Sequence, residues 1–176
     1  MNDNNGLKGL RGWLILVGIG VVIGPFRLAY DFGPLYYSIF TDGSFEILTT
    51  PGSDFYHPLL GPLLVFEAVY NSLMVLASIY LIYLFFSKHY LFPKVFIAIA
   101  LLSLFFIPLD AWLGSLIFTD EPMFDPATTK EFARTLLSAV IWVPYMLVSK
   151  RVKATFIENM PNKSGQQEIS EADASA

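Results

Sequence analysis

Four apolar stretches, each long enough to cross a lipid bilayer, constrain this chain more than any other feature of its sequence. They cover about residues 10–30, 59–87, 93–118 and 128–149. Because a bilayer cannot satisfy exposed backbone amides, each stretch is expected to form a helix. The sequence therefore predicts an all-α integral membrane protein, a bundle of four transmembrane helices in one domain over residues 1–156.

Composition supports this class. Of the 176 residues, 55% are hydrophobic and 15% are charged, far from the values of an average soluble domain. The net charge of -4 is spread over the connections and the tail, which indicates neither nucleic-acid binding nor a basic lipid-docking patch. Cysteine is absent, which excludes thiol chemistry and cysteine-based metal sites. Residues 157–176 are polar, and we expect them to form a disordered cytoplasmic tail.

The distribution of charge predicts the topology. Lysine and arginine near the ends of spans are retained on the cytoplasmic side of a membrane. The basic residues at span ends share one predicted face: Lys8, Arg11, Lys88, Lys94, Lys150, Arg151 and Lys153. The opposite connections are acidic: Asp31, Asp42, Glu46 and Asp54 in the first, and Asp120, Glu121, Asp125 and Glu131 in the second. Both termini are therefore predicted to be cytoplasmic.

Two features are expected near the outer ends of the spans. The first outer connection is long and aromatic, and residues 36–40 and 45–48 flank Asp42-Gly43, a pair typical of a two-residue turn. A small β-hairpin is predicted there, either as a flap over the end of the bundle or as a docking surface or lid. The fourth span is expected to begin near Thr128, since Thr128-x-x-Glu131 fits a capping box.

Ionisable residues inside the spans are the main candidates for function. Glu67 and Asp110 are carboxyl residues inside the second and third spans. On insertion scales, the free energy of placing such a residue near the centre of a bilayer is unfavourable by about 2.5 to 3.5 kcal/mol. At about 1.5 Å per residue, both lie roughly 12 Å from the outer ends of their spans. Arg27 and Arg134 approach the same level, and Asn71 extends the helix face of Glu67 inward.

This polar cluster permits two interpretations. In the first, Glu67 and Asp110 form ion pairs with Arg27 and Arg134 and fix the register of the helices. In the second, the carboxyl groups line a water-filled pocket that carries protons or binds a cationic or polar solute. Either arginine could instead extend toward lipid headgroups.

No other candidate motif matches a complete metal-binding, nucleotide-binding or catalytic signature. His57 and His89 are predicted at opposite faces, so we expect no metal site and no cofactor. Gly18-x-Gly20-x-x-x-Gly24 lies in an apolar helix with the wrong spacing for a dinucleotide loop, and it indicates close helix packing instead. No Ser, His and Asp combination shares a plausible level, so the sequence does not support an enzymatic function.

Two segments carry a family resemblance. Gly9-Leu10-Arg11-Gly12-Trp13-Leu14 opens the first helix and resembles the same region of bacterial YdgK-like membrane proteins, domain of unknown function family 2569. The closing motif is the more specific of the two. It comprises Trp142, Tyr145, Ser149, Lys150, Arg151, Val152, Lys153, Thr155 and Phe156. The resemblance covers about residues 6–156 and implies a small bacterial inner-membrane protein with four helices, without an established activity.

The sequence supports two functional hypotheses. The first is a non-enzymatic accessory or assembly factor that acts through the bilayer and a membrane partner, either another protein or a second copy. It rests on the small size of the chain and its aromatic outer connection. The alternative is a proton-coupled or polar-solute carrier, as a single chain or an oligomer, that uses Glu67 and Asp110. No nucleic-acid partner is expected.

Overall fold

The structure, a computed structural model, describes residues 9–157 and is helical throughout its regular elements. The helices are α1 (Trp13–Thr41), α2 (Ser44–Thr49), α3 (Leu60–Phe86), α4 (Phe92–Ser115), α5 (Pro126–Val148) and α6 (Lys150–Thr155). Among them α1, α3, α4 and α5 are long and apolar enough to cross a membrane. The predicted all-α membrane fold with four spanning helices is confirmed. Except for Ile157, the predicted tail lies outside the described residues.

Helix α1 is longer than the first predicted span. Its 29 residues extend about 43 Å at about 1.5 Å per residue, against about 30 Å for the hydrocarbon core of a bilayer. Pro25 and Pro34 both lie within it. The additional turns run from Asp31 to Thr41, so side chains expected in a loop are instead part of a helix.

The predicted β-hairpin around Asp42-Gly43 is wrong for this reason. Asp42 follows the last residue of α1, and its carboxylate accepts hydrogen bonds from the Ser38 hydroxyl (2.7 Å) and the Ser44 backbone N–H (2.9 Å). Gly43 has a φ of 84°, the left-handed conformation that commonly ends a helix. An Asp-Gly pair suits both a hairpin turn and a helix end, and here it joins α1 to α2.

Helix α2 packs against its two neighbours. The rings of Phe40 at the end of α1 and Phe45 in α2 have centroids 5.1 Å apart. Gly61, near the start of α3, lies under Thr49, because a Cβ atom at Gly61 would be 2.7 Å from the Thr49 Cγ2. The first connection is thus a short helix held against the bundle.

The start of α5 also differs from the prediction. Its N-terminal cap is Asp125, whose Oδ1 accepts a hydrogen bond of 2.6 Å from the Thr128 backbone N–H. Pro126 occupies the first turn, where its missing N–H costs no hydrogen bond. Thr128 is therefore the third residue of the helix, and the capping-box interpretation is corrected.

The bundle has two distinct ends. We call the end with residues 42–59 and 116–125 the loop end, and the end with residues 9–12, 87–91 and 149–157 the terminal end. Helix α1 packs along α3, α3 on α4 and α4 along α5, whereas the backbones of α1 and α5 lie farther apart. The buried apolar core is concentrated at the terminal end and includes Leu14, Leu84, Phe85, Phe92, Met146, Val152 and Phe156.

The two segments of the family resemblance meet at the terminal end. The Gly9 backbone N–H donates a hydrogen bond of 3.2 Å to the Thr155 Oγ1. The rings of Trp13 and Trp142 meet edge to face at 6.3 Å, and Phe156 stacks on Phe92 at 4.4 Å. We call the contacts of Gly9 and Trp13 with Thr155 and Trp142 the terminal contact.

The remaining motif residues lie around the terminal contact. Ser149 accepts a hydrogen bond from the Val152 N–H and caps α6. The rings of Tyr145 and Trp142 pack edge to face, with centroids 5.8 Å apart. Lys150, Arg151 and Lys153 all belong to α6, so the basic residues of the motif gather at this end of the bundle.

Candidate functional site

A cavity of about 480 Å³ lies between the four long helices, toward the loop end. Its volume is in the range of small-molecule binding sites. Each helix contributes a stripe of residues at spacings of three and four, which places them on one helix face. The polar lining comprises Arg27, Asp31, Tyr36, Glu67, Tyr70, Asn71, Ser78, Ser103, Asp110, Thr128, Glu131, Arg134, Thr135 and Ser138.

All five residues of the predicted polar cluster line this cavity: Arg27, Glu67, Asn71, Asp110 and Arg134. Glu67 lies about two turns from the start of α3, and Asp110 lies within about two turns of the end of α4. Because these two helices run antiparallel, both carboxyl groups reach the same level and are neighbours.

The arginines are paired within their own helices. Arg27 Nε contacts Asp31 Oδ2 at 3.3 Å in α1, and Arg134 Nη2 contacts Glu131 Oε1 at 3.1 Å in α5. Partners one turn away on the same helix meet without any approach of the helices. Within residues 9–157, no salt bridge joins either arginine to Glu67 or Asp110. The structure thus differs from the ion-pair interpretation of the cluster.

Asn71 connects two helices in the cavity wall. Its Nδ2 donates to the Tyr36 hydroxyl at 2.9 Å and to the Glu67 backbone carbonyl at 3.0 Å. Asn71 is only 9% exposed, so its amide depends on these partners. The bond to Tyr36 fixes the extended part of α1 beside the two carboxyl groups.

Asp110 holds an unsatisfied acceptor. Its Oδ1 is buried and has no hydrogen-bond partner among the described residues. Leaving a buried polar atom without a partner costs about 1 to 3 kcal/mol, and more when the group is charged. A donor or cation beside Asp110 and Glu67 would satisfy this atom and, when both groups are ionised, relieve the repulsion between them.

Aromatic rings form one side of the cavity next to the carboxyl groups. Tyr70 of α3 stacks parallel to Phe106 of α4, and Phe66 packs on Phe106 with centroids 5.6 Å apart. Tyr70 and Phe106 both line the cavity. This wall can accept the apolar part of a solute, or a cation over a ring face.

Several lining residues were not predicted from the sequence. The sequence predicts Tyr36 in the outer connection, Asp31 as an acidic residue of that connection, and Glu131 as an acidic residue of the second outer connection that belongs to a capping box. A stronger signal was available in α3 and α5. Glu67, Asn71 and Ser78 follow one helix face, as do Glu131, Thr135 and Ser138.

The three glycines of the α1 motif have different surroundings. A Cβ atom on Gly18 would be 2.8 Å from two Phe85 ring atoms, so Gly18 allows α1 to approach α3. A Cβ atom on Gly20 or Gly24 would meet nothing within 4 Å. Gly24 lines the cavity, and both glycines line a smaller adjoining pocket with Ser138 and Trp142. The predicted close packing holds for Gly18.

The fold and the cavity define a multi-pass membrane protein with four spanning helices around a polar internal space. The chain belongs to the DUF2569 family, described as "Protein of unknown function (DUF2569)", which matches residues 7–157. The predicted membership of domain of unknown function family 2569 is therefore confirmed. Comparison with curated proteins and with solved structures finds no match.

Proposed function

We propose that the protein carries a small, positively charged polar solute across the membrane and that the cavity is the solute site. One observation carries this proposal. Glu67 and Asp110 are neighbours in a cavity of about 480 Å³, and neither has an arginine partner in the described chain.

The charges of the cavity favour a cation. Asp31 and Glu131 balance Arg27 and Arg134 by direct pairing. Among residues 9–157, Glu67 and Asp110 are then the acidic lining residues without a basic partner, and the Oδ1 of Asp110 has no hydrogen-bond donor. A cation between these groups would replace repulsion with attraction in surroundings of low dielectric constant, where each interaction is stronger than in water.

The carrier function has more support than the accessory role. The accessory hypothesis rests on the small size of the chain and on its aromatic outer connection, which was expected to form a hairpin that could dock a partner. That segment consists instead of the end of α1 and the short helix α2, packed on the start of α3 through Thr49 and Gly61. Assembly with a membrane partner stays a proposal with less support.

We further propose a bacterial cytoplasmic membrane as the location, with the terminal end facing the cytoplasm. Arg11, Lys88 and Lys94 lie at or near the terminal end, as do the three basic residues of α6. Lysine and arginine at span ends favour the cytoplasmic side. In this orientation the cavity lies nearer the outer face of the membrane.

Transport is tested with purified protein in proteoliposomes. Currents on a solid-supported membrane and the response of an enclosed pH dye are recorded for sodium, ammonium, methylammonium and choline. The variants Glu67→Gln and Asp110→Asn remove one negative charge each at nearly constant side-chain volume. Glu121→Gln, an exposed residue outside the cavity, is the matched control.

The wild type and Glu121→Gln are expected to respond to at least one cation, and both cavity variants are expected to lose at least 90% of that response. Equal responses in the wild type and the cavity variants would overturn the proposal. Absence of any current or pH change with folded wild-type protein would also overturn it.

A further inference from the structure

The carboxyl groups of Glu67 and Asp110 are held beside each other by the packing of α3 on α4. The rings of Phe66 and Tyr70 in α3 both pack on Phe106 in α4. Glu67 precedes Tyr70 by three residues, and Asp110 follows Phe106 by four. Each of these spacings is one turn on the same helix face. Since the two helices run antiparallel, both turns lead toward the loop end, and the two carboxyl groups form a pair next to the rings.

No basic side chain of the described chain neutralises this pair. Apart from Glu67 and Asp110, the ionisable residues that line the cavity lie on α1, α3 and α5: Arg27, Asp31, Tyr36, Tyr70, Glu131 and Arg134. Each arginine contacts an acidic residue of its own helix, and within residues 9–157 neither forms a salt bridge with the pair. The charges of these two ion pairs sum to zero, so the carboxyl pair determines the net charge of the cavity.

The arrangement of the pair favours one shared proton. Two ionised carboxyl groups at such close range repel each other, and both residues are partly buried, which reduces screening by water. A proton on one group removes the repulsion and allows a hydrogen bond to the other. The unpartnered Oδ1 of Asp110 supports this state, because a buried oxygen without a donor is less costly on a neutral carboxyl group than on a charged one.

Building on the proposed carrier function, we infer that the transported cation and a proton compete for this pair, so that the protein exchanges one monovalent cation for one proton. When the cation enters, the carboxyl O–H bond breaks, the proton leaves to water, and both carboxylates contact the cation. The pair with its bound proton has one negative charge. The pair with its bound cation also has one, so the exchange moves no net charge across the membrane.

The coupling follows from the state that the protein avoids. A pair with neither ligand would hold two negative charges within spanning helices, the least favourable of the three states. The site therefore changes its accessible side with either the proton or the cation bound. Each cation that crosses in one direction is followed by a proton in the other.

Proton release is measured by calorimetric titration of the full chain in lipid nanodiscs at pH 6.5. Sodium, ammonium, methylammonium and choline are each titrated in two zwitterionic buffers of different ionisation enthalpy, MES and ACES. The dependence of the observed heat on the buffer gives the number of protons released per cation. The Glu67→Gln, Asp110→Asn double variant provides the background, and Glu121→Gln, exposed and outside the cavity, is the matched control.

Charge movement is measured in proteoliposomes that enclose a pH dye and have equal potassium concentrations on both sides. The cation that binds most tightly is added outside, with and without valinomycin, which holds the membrane potential at zero. Proteoliposomes with the double variant correct for amines that cross the lipid as neutral bases. A one-for-one exchange is insensitive to valinomycin, whereas a pH change driven by the potential of a cation current is lost.

We expect the wild type and Glu121→Gln to release about one proton per bound cation. Their pH response should have the same rate with and without valinomycin. Binding without proton release, or a pH response that valinomycin abolishes or accelerates by about twofold or more, would overturn the inference. Cation transport seen as a current would then leave the carrier function standing. Absence of binding, or binding without transport, for all four cations would count against both.

Discussion

The side-chain amide of Asn71 in α3 donates a hydrogen bond of 2.9 Å to the hydroxyl of Tyr36 in α1. The same amide donates to the backbone carbonyl of Glu67, one turn earlier in α3. The position of Tyr36 beside the carboxyl groups therefore depends on a helix that continues beyond the length needed to cross the bilayer. Through this bond the extended part of α1 becomes part of the cavity wall.

Tyr36→Phe is expected to weaken the bundle by about 0.5 to 1.5 kcal/mol, the usual net contribution of one hydrogen bond. Asn71 would keep its bond to the Glu67 carbonyl, so the loss should be limited. Tyr37→Phe is the matched control, because Tyr37 is the next residue in α1 and is 74% exposed. Equilibrium unfolding in mixed detergent micelles measures both variants. Equal stability of the two would show that the Tyr36 bond contributes nothing.

A second prediction concerns the contact of α1 with α3. Gly18→Ala would place a methyl group 2.8 Å from the Phe85 ring, which belongs to the buried core. Overpacking of this kind costs about 1 to 3 kcal/mol. Gly20→Ala, two residues later in the same helix, meets open space and should gain about 0.5 to 1 kcal/mol from its higher helix propensity.

The two alanine variants are compared with the wild type by the midpoint of thermal unfolding in mixed detergent micelles. The midpoint should fall for Gly18→Ala and should stay or rise for Gly20→Ala. If both midpoints move in the same direction by the same amount, helix propensity rather than the Phe85 contact determines the result.

The sequence predicts the candidate site best where a polar or ionisable side chain interrupts an apolar helix. Ionisable and amide side chains inside hydrophobic helices stand out by composition alone, so the sequence identifies Glu67, Asp110 and Asn71, and the rise of about 1.5 Å per residue places the two carboxyl groups near one level. The partners of Arg27 and Arg134 were not found. A residue one turn away on the same helix and a residue across the bundle satisfy an arginine equally well, and only side-chain directions distinguish them.

The end of α1 could not be predicted for a related reason. Asp42-Gly43 suits a hairpin turn and a helix end, and the choice depends on contacts distant in sequence. Tyr36 bonds to Asn71, and Phe40 packs on Phe45. Both contacts require α1 to continue as a helix. Local patterns do not contain this information, so the aromatic segment was assigned to a loop and Tyr36 was missed as a cavity residue.

The cap of α5 predicts a dependence on pH. The hydroxyl and the backbone N–H of Thr128 stabilise the charged carboxylate of Asp125, which holds the pKa of Asp125 below its usual value of 3.8. A lowered pKa in the folded state means that the cap is fully effective above the unfolded value and is lost as the pH falls through the folded one. The chemical shift of the Thr128 amide, followed by NMR, should therefore titrate with a midpoint below 3.8.

Asp125→Asn is the test variant for this cap, because an amide oxygen can still accept the hydrogen bond but does not titrate. The Thr128 transition should disappear in Asp125→Asn and persist in Asp120→Asn, a change in the same connection away from the cap. A midpoint at or above 3.8, or a transition retained in Asp125→Asn, would contradict the assignment.

The terminal contact supports the last prediction. Thr155 is 3% exposed, and its hydroxyl accepts from the Gly9 N–H at 3.2 Å and lies 3.4 Å from the Gly9 carbonyl. Thr155→Val keeps the shape of the side chain but leaves the Gly9 backbone groups without this partner, which should cost about 1 to 3 kcal/mol. Thr155→Ser retains the hydroxyl and loses only a methyl group, so it should lose about 1 kcal/mol or less.

Limited proteolysis and unfolding in detergent together distinguish these variants. Thr155→Val should become susceptible to cleavage at residues 9–12 as well as less stable, because the backbone of Gly9 is released from α6 while the Trp13–Trp142 contact remains. Thr155→Ser should resist cleavage like the wild type. If valine and serine reduce stability equally, the methyl group of Thr155 and not its hydroxyl holds the two segments together, and the hydrogen bonds to Gly9 carry no net stability.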